Sequence, residues 1–93
     1  MVSFSDMRRI LRWTRNTNSK VMVRFIDVPY VLAIDKLIHA QDERGRDVPW
    51  MRAFGPKQPH QVLSSYRVKE IVIIKEDGSL EKVDDLKEIL TRV

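Results

Sequence analysis

The sequence has no cysteine, only three glycines among its 93 residues, and no long apolar run. Without cysteine the chain cannot form disulfide bonds, thiolate zinc sites or cysteine nucleophiles, and its composition is compatible with a reducing compartment. The few glycines form no glycine-rich phosphate loop. Residues 1–4 lead directly into polar sequence, so we predict neither a signal peptide nor a membrane span and expect a cytoplasmic location.

The hydrophobic content of 43% is enough for one core, and we predict a single globular domain over residues 1–93. So small a core leaves little room for a deep, enclosed active site, which favours shallow surface binding over a buried cofactor. Because no specific catalytic, metal-ligating or cofactor motif is found, we predict no catalytic residue, no metal and no cofactor, and a non-enzymatic role is favoured.

The formal net charge of +4 is unevenly distributed along the chain. Residues 1–24 contain six basic side chains and Asp6 as their one acid, whereas residues 70–93 contain four basic and seven acidic side chains. A chain polarised in this way attracts polyanions and orients them. We therefore expect an anionic partner on the amino-terminal part of the molecule.

Hydrophobic spacing and turn residues divide the chain into short elements. An amino-terminal helix is predicted over residues 6–15 with Ser5 as its N-cap. Strands are predicted at residues 21–26, 48–54, 71–74 and 80–83, with an apolar run at residues 30–34. Residues 35–41 fit a short helix or a strand equally well, residues 42–47 form an exposed turn, residues 55–61 form a loop, and a last helix begins at Asp84. The pattern indicates an α+β fold, a small, mainly antiparallel sheet with an N-terminal and a C-terminal helix.

Four arginines lie in the predicted amino-terminal helix. Arg8, Arg12 and Arg15 follow the spacing i, i+4, i+7 and share one stripe, with Arg9 beside it. A solvated helix face is the ordinary explanation of such a charge run, but those faces usually mix signs because like charges at i and i+4 repel. This stripe contains no glutamate, and guanidinium groups suit bidentate phosphate contacts and stacking on bases. We therefore predict that the helix binds an anion.

Aromatic and basic residues are interleaved around Trp50. Arg52, Phe54 and Lys57 follow it toward the predicted loop, a composition typical of base-stacking platforms in single-stranded nucleic-acid binders. The same spacing would serve a sheet packed on a helix, and a half-buried or core position is the ordinary one for a tryptophan, Trp13 included. With Arg24, these residues complete the predicted contacts: Arg52 and Lys57 to phosphate, Trp50 and Phe54 to bases.

His39 and His60 are the two histidines of the chain. Such a pair can act as general acid and base in RNA cleavage, with Lys57 stabilising the phosphorane. No sequence feature brings the two together, so ordinary surface histidines are the favoured interpretation. Asp35 and His39 at i, i+4 could hold a metal on a helix, but two ligands do not make a site.

Two segments carry a family resemblance. "LSSYRVKEI", residues 63–71, resembles the closing strand of a small, mostly archaeal family named the RNA cyclic-group end recognition domain, which reads roughly Ile-Pro-x-His-Arg-Ile-x-x-Ile; here Ser64 and Tyr66 stand in place of the proline and the histidine. "RRILRW", residues 8–13, resembles the opening helix of that family, which ends in a tryptophan. The resemblance implies an RNA-binding module proposed to recognise processed RNA termini, in which Arg67 faces the phosphate.

These observations favour a small, basic, non-enzymatic domain that binds nucleic acid, RNA rather than DNA. The predicted contacts are Arg8, Arg9, Arg12, Arg15, Arg24, Trp50, Arg52, Phe54, Lys57 and Arg67. A protein-interaction module or accessory subunit that docks its basic face and tryptophans on an acidic partner is the first alternative. A small ribonuclease or phosphoesterase that uses His39 and His60 is the second.

Overall fold

The amino-terminal helix extends two residues beyond the predicted bounds at each end. The computed structural model describes all 93 residues, and in it α1 spans Phe4–Thr17. Ser3 rather than Ser5 is the N-cap: its hydroxyl accepts a hydrogen bond from the backbone N–H of Asp6, whose carboxylate accepts one from the N–H of Ser3. Asn18 ends the helix in the left-handed conformation, with φ of 50°.

Six strands form one antiparallel sheet in the order β4-β3-β2-β1-β5-β6. Their bounds are β1 Lys20–Phe25, β2 Val31–Ile34, β3 Ile38–Gln41, β4 Asp47–Val48, β5 Val68–Ile74 and β6 Leu80–Val83. Residues 35–41, left open by the sequence, contain β3. The β5–β6 hairpin turns at Gly78, where φ of 85° favours glycine. Together with the helices at the two ends of the chain, the sheet confirms the predicted α+β fold.

Two short helices occupy the segment that we predicted to be a strand and a loop. They are α2, Trp50–Phe54, and α3, Pro59–Ser65. Pro49 precedes α2 and Gly55, at φ of 65°, ends it, while Pro59 opens α3. The strand prediction for residues 48–54 is therefore wrong beyond Val48, because a five-residue helix is too short to show its period. The last helix, α4, spans Lys87–Leu90 and begins later than predicted.

All four helices lie on one face of the sheet. A cluster of 17 buried side chains fills the space between the two layers, with Val21, Val23 and Phe25 of β1 pointing into it. The alternate positions of the strands point away from the helices, and there Met22, Val31 and Ala33 form a small cluster of their own. We call this uncovered side the open face. Its strand positions carry no phenylalanine, tryptophan or tyrosine.

The longest helix, α1, has 14 residues, and no helix combines the length and the apolar composition that crossing a membrane would need.

Candidate nucleic-acid interface

The outer side of α1 carries three exposed arginines that have no carboxylate within 4.0 Å: Arg8, Arg12 and Arg15. Their neighbour Arg9 lies 3.8 Å from the carboxylate of Asp6. Elsewhere the arginines that form ion pairs are Arg24, Arg46, Arg67 and Arg92. A guanidinium without a carboxylate keeps its full charge and its donors for an external anion.

The inner side of α1 fixes the direction in which these arginines point. Met7 and Ile10 are buried, with 2% and 0% of their surfaces exposed. The hydroxyl of Thr14 lies 2.7 Å from two carbonyl oxygens, that of Leu11 in the helix and that of Asp35 after β2. The arginine side of α1 is therefore held toward solvent, because rotating the helix would expose the apolar side chains and break the hydrogen bond to Asp35.

The positive surface continues past the end of α1. Nη2 of Arg15 donates to the carbonyl oxygen of Lys36 at 3.4 Å, and these two residues line one groove with Lys20. Neither lysine has a carboxylate within 4.0 Å. Of the two acids in the groove, Asp35 turns its carboxylate to the backbone N–H of Lys36 at 2.7 Å, and Glu76 lies on the opposite rim. We call this surface the basic face; it consists of Arg8, Arg12, Arg15 and Lys36. Lys20 borders it at the first position of β1, where its side chain alternates in phase with that of Arg24 on the open face.

Arg24 does not belong to the basic face. It lies on the open face of the sheet, on the side away from α1, and its Nε is 3.2 Å from the carboxylate of Glu70. Lys82 shares that carboxylate at 3.8 Å. Arg24, which we predicted as a phosphate contact, therefore lies apart from the arginine stripe, because alternation along β1 places its side chain on the opposite side of the sheet.

The structure also contradicts the predicted role of Phe54 in base stacking. Phe54 is 2% exposed and packs against the rings of Phe25, Tyr30 and Tyr66, with centroids 5.9 to 6.3 Å away. A buried ring has no face for a nucleobase. Trp50 is half-buried against Phe54, with the ring centroids 4.9 Å apart.

The basic residues around Trp50 lie on the helical segment and not on a strand. Arg52 is exposed on α2 and has no carboxylate within 4.0 Å. Nζ of Lys57 lies 5.6 Å from the ring centroid of Tyr66, a cation–π arrangement like that of Arg8, whose guanidinium carbon lies 6.0 Å from the ring centroid of Phe4. The carbonyl oxygen of Lys57 accepts a hydrogen bond from the indole N–H of Trp50 at 2.8 Å.

Arg67 is held by Asp27, a residue 40 positions earlier in the chain. The carboxylate of Asp27 accepts hydrogen bonds from the backbone N–H of Arg67 at 2.7 Å and from its guanidinium at 3.1 and 3.2 Å. These bonds, that from the backbone N–H foremost, hold the pKa of Asp27 below its ordinary value. Arg67 lies beyond the Phe25 end of β1, and Lys20 lies at the opposite end of that strand. At about 3.3 Å per residue, Arg67 and Lys20 are separated by roughly 20 Å.

Trp13 lines a groove between α1 and the β5–β6 hairpin. It is half-buried, and the guanidinium carbon of Arg92 lies 5.9 Å from its ring centroid. Its indole N–H has no acceptor in the protein and is not sealed from solvent. We predicted a half-buried or core position for Trp13, and it is half-buried; the groove beside it was not predicted.

The two histidines lie on opposite sides of the sheet and do not form a catalytic pair. His39 is on the open face, with its ring nitrogens 3.2 Å from the carboxylate of Asp35 and 3.1 Å from that of Asp47. His60 is on α3, where its ring packs edge-on against Phe4 at 5.9 Å. No group of three or more histidine, aspartate or glutamate side chains is arranged to hold a metal ion. The ribonuclease alternative therefore lacks the geometry that it requires.

No family model, curated protein or solved structure matches this chain.

Proposed function

We propose that the chain is a non-enzymatic nucleic-acid-binding domain that contacts phosphates through the basic face, with RNA favoured over DNA. One observation carries the proposal: Arg8, Arg12 and Arg15 lie in line on a fixed helix, and none has a carboxylate within 4.0 Å. Lysines and arginines placed in this way release the counterions condensed on a nucleic-acid backbone, which is the main source of sequence-independent affinity.

The dimensions of the basic face suit a phosphate chain. At about 1.5 Å per residue, Arg8 and Arg15 are separated by roughly 10 Å along the helix axis. In one strand of a duplex the phosphates are spaced about 3.4 Å apart along the helix axis, so about three phosphates span that distance. The groove beyond Arg15 adds Lys36 and Lys20 in the same direction. A backbone lying along α1 would therefore meet cations over its whole contact.

The open face is the less suitable surface for nucleic acid. Its strand positions carry no phenylalanine, tryptophan or tyrosine for base stacking, and Arg24 and Lys82 share the carboxylate of Glu70 there. A phosphate that approached this face would have to displace that carboxylate. The helix side therefore carries the proposed interface.

The preference for RNA comes from the family resemblance of residues 8–13 and 63–71. In the second segment the resemblance implies that Arg67 contacts the phosphate. The family has a histidine at the position of Tyr66. Arg67 is 74% exposed, so its guanidinium is accessible to a phosphate while Asp27 orients it. Its charge is offset by that carboxylate, and we assign the larger share of the affinity to the basic face.

The test is fluorescence anisotropy with a labelled single-stranded RNA of about 20 nucleotides and a DNA of the same sequence, across salt concentrations. We expect dissociation constants in the micromolar range or tighter at about 50 mM salt, rising steeply toward about 200 mM. Arg8→Gln combined with Arg12→Gln should weaken binding about tenfold.

The matched control is Arg44→Gln combined with Lys69→Gln, which removes the same charge from exposed positions outside the basic face. This control should lose less than threefold, roughly the effect of net charge alone. Absent binding, or binding independent of salt, would refute the proposal. Preferential capture of an acidic polypeptide, which RNA fails to displace, would instead support the accessory-subunit alternative.

A further inference from the structure

We propose that the groove beside Trp13 receives one nucleobase of the bound strand. The inference rests on the proposed function and adds to it a base-stacking subsite that neither the basic face nor the open face supplies. The groove lies between α1, Ile73 of β5 and Arg92, and the turn that follows β5 lines it with Lys75 and two acids, Glu76 and Asp77. Its volume is about 480 Å³, which is sufficient for a single base.

The two tryptophans of the chain differ in what their indole N–H groups bond. The N–H of Trp50 donates to the carbonyl oxygen of Lys57 at 2.8 Å, so the protein itself satisfies it. The N–H of Trp13 has no acceptor in the protein and is not buried, so it is accessible to solvent. An unused donor on a half-buried indole can bond an acceptor of a ligand, and nucleobases present carbonyl and ring-nitrogen acceptors at their edges.

The position of Trp13 links the groove to the phosphate contacts. It follows Arg12 directly on α1. At 100° per residue, Trp13 lies on the same side of the arginine stripe as Arg9. Because consecutive helix residues point about 100° apart, a nucleotide whose phosphate is bound by Arg12 would turn its base around the helix, past Arg9, to enter the Trp13 groove. The contacts of one nucleotide would then come from consecutive residues of one helix.

Arg92 determines how a base can enter. Its guanidinium carbon lies 5.9 Å above the Trp13 ring, and Glu81 binds it through two hydrogen bonds. This separation is too small for a base to lie flat between the two groups. Arg92 must therefore swing outward about Glu81 as the base stacks on Trp13, and it then covers the outer face of the base as a second stacking partner.

The test uses the intrinsic fluorescence of Trp13. In Trp50→Phe, Trp13 is the single tryptophan, and single-stranded RNA should quench its emission in step with the anisotropy signal. In Trp13→Phe, the emission of Trp50 should not respond. An abasic oligonucleotide, which keeps the phosphates and lacks the bases, should bind the basic face and leave Trp13 unquenched.

Affinity gives a second readout. Trp13→Leu should weaken binding of the base-bearing RNA about tenfold and leave binding of the abasic strand unchanged. Circular dichroism of Trp13→Phe and Trp13→Leu serves as the control for folding. If RNA binds and the Arg8→Gln, Arg12→Gln pair weakens it, but Trp13 is silent in emission and in affinity, the base subsite is refuted and the proposed function stands. If RNA does not bind at all, both proposals are refuted together.

Discussion

The basic face and the open face both carry exposed cations, yet their charges are arranged in opposite ways. On the open face carboxylates lie beside basic side chains: Glu70 contacts both Arg24 and Lys82, and the ring of His39 lies between two aspartates. On the basic face the arginines have no such partners. Composition alone does not distinguish these surfaces, since both contain cations; the distinction is whether the protein has already neutralised them.

Unshared cations cost stability, which makes their arrangement informative. Arg8 and Arg12 are four residues apart on α1 and repel one another by a few tenths of a kcal/mol, with no acid between them to offset this. An anionic ligand removes that repulsion on binding, whereas the paired charges of the open face have little to gain from one.

Reversing the charge of the basic face is the largest change that we predict. Arg8→Glu combined with Arg12→Glu should lower affinity for single-stranded RNA at low salt about 100-fold, because two phosphate contacts are replaced by two repulsive ones. The thermal unfolding midpoint should move by only a few degrees, since both side chains are exposed. Anisotropy and circular dichroism measure the two effects. Unchanged affinity in a folded variant would contradict the assignment of the phosphates to α1.

Adding a carboxylate to the basic face should make it resemble the open face. Ser5→Glu places an acid three residues before Arg8 and four before Arg9, in the first turn of α1, where the helix dipole favours it. We expect stability to rise by a few tenths of a kcal/mol while RNA affinity falls about fivefold. Urea unfolding and anisotropy test these opposite directions. A variant in which both quantities fall would indicate misfolding of the helix end rather than charge pairing.

Acid should remove the pairing that the protein uses outside the basic face. The pKa of Asp27 is depressed in the fold, so its contribution is present above its ordinary value of about 3.9 and is lost as pH falls through the lower folded value. The pKa of Glu81 is depressed in the same way, chiefly by hydrogen bonds from Arg92. Stability should therefore decline from about pH 5 downward.

Asp27→Asn isolates one of these terms. It should be less stable than the natural chain at neutral pH and approach it near pH 2, because protonation there has already cancelled the advantage of the carboxylate. Urea midpoints across the pH range measure the convergence. Curves that stay parallel would show that Asp27 contributes nothing through ionisation.

The smallest effect should follow from unpairing the open face. Glu70→Gln leaves Arg24 and Lys82 without their shared carboxylate, and we expect a loss of less than about 1 kcal/mol because the group is partly exposed. RNA affinity should rise by less than twofold, because the substitution raises the net charge of the protein by one. A tenfold gain would mean that the open face binds RNA once its charges are released.

The sequence predicted elements wherever local chemistry decides them. The alternation in β1, the Asp77-Gly78 turn and strand β6 were recovered because each depends on neighbouring residues. The line of Arg8, Arg12 and Arg15 was recovered for the same reason, since helical spacing fixes it.

Contacts between residues distant in sequence, and helices of only a few residues, could not be predicted from local patterns. Nothing local indicates that β5 pairs with β1, that Asp27 binds Arg67 across 40 positions, or that Arg24 faces Glu70. Two local signals were missed. Ser3 and Asp6 have capping-box spacing at the start of α1, and Pro49 before α2 and Gly55 after it are ordinary helix boundaries.

The most direct measurement compares the salt dependence of RNA binding in two double variants that remove equal charge. Arg8→Gln with Arg12→Gln takes two cations from the basic face, and Arg24→Gln with Lys82→Gln takes two from the open face. Plots of the logarithm of affinity against the logarithm of salt should lose about 1.4 in slope for the first pair, at about 0.7 per lost single-strand contact, and almost none for the second. Equal slopes in the two variants would contradict the claim that the basic face, and not the open face, is the nucleic-acid interface.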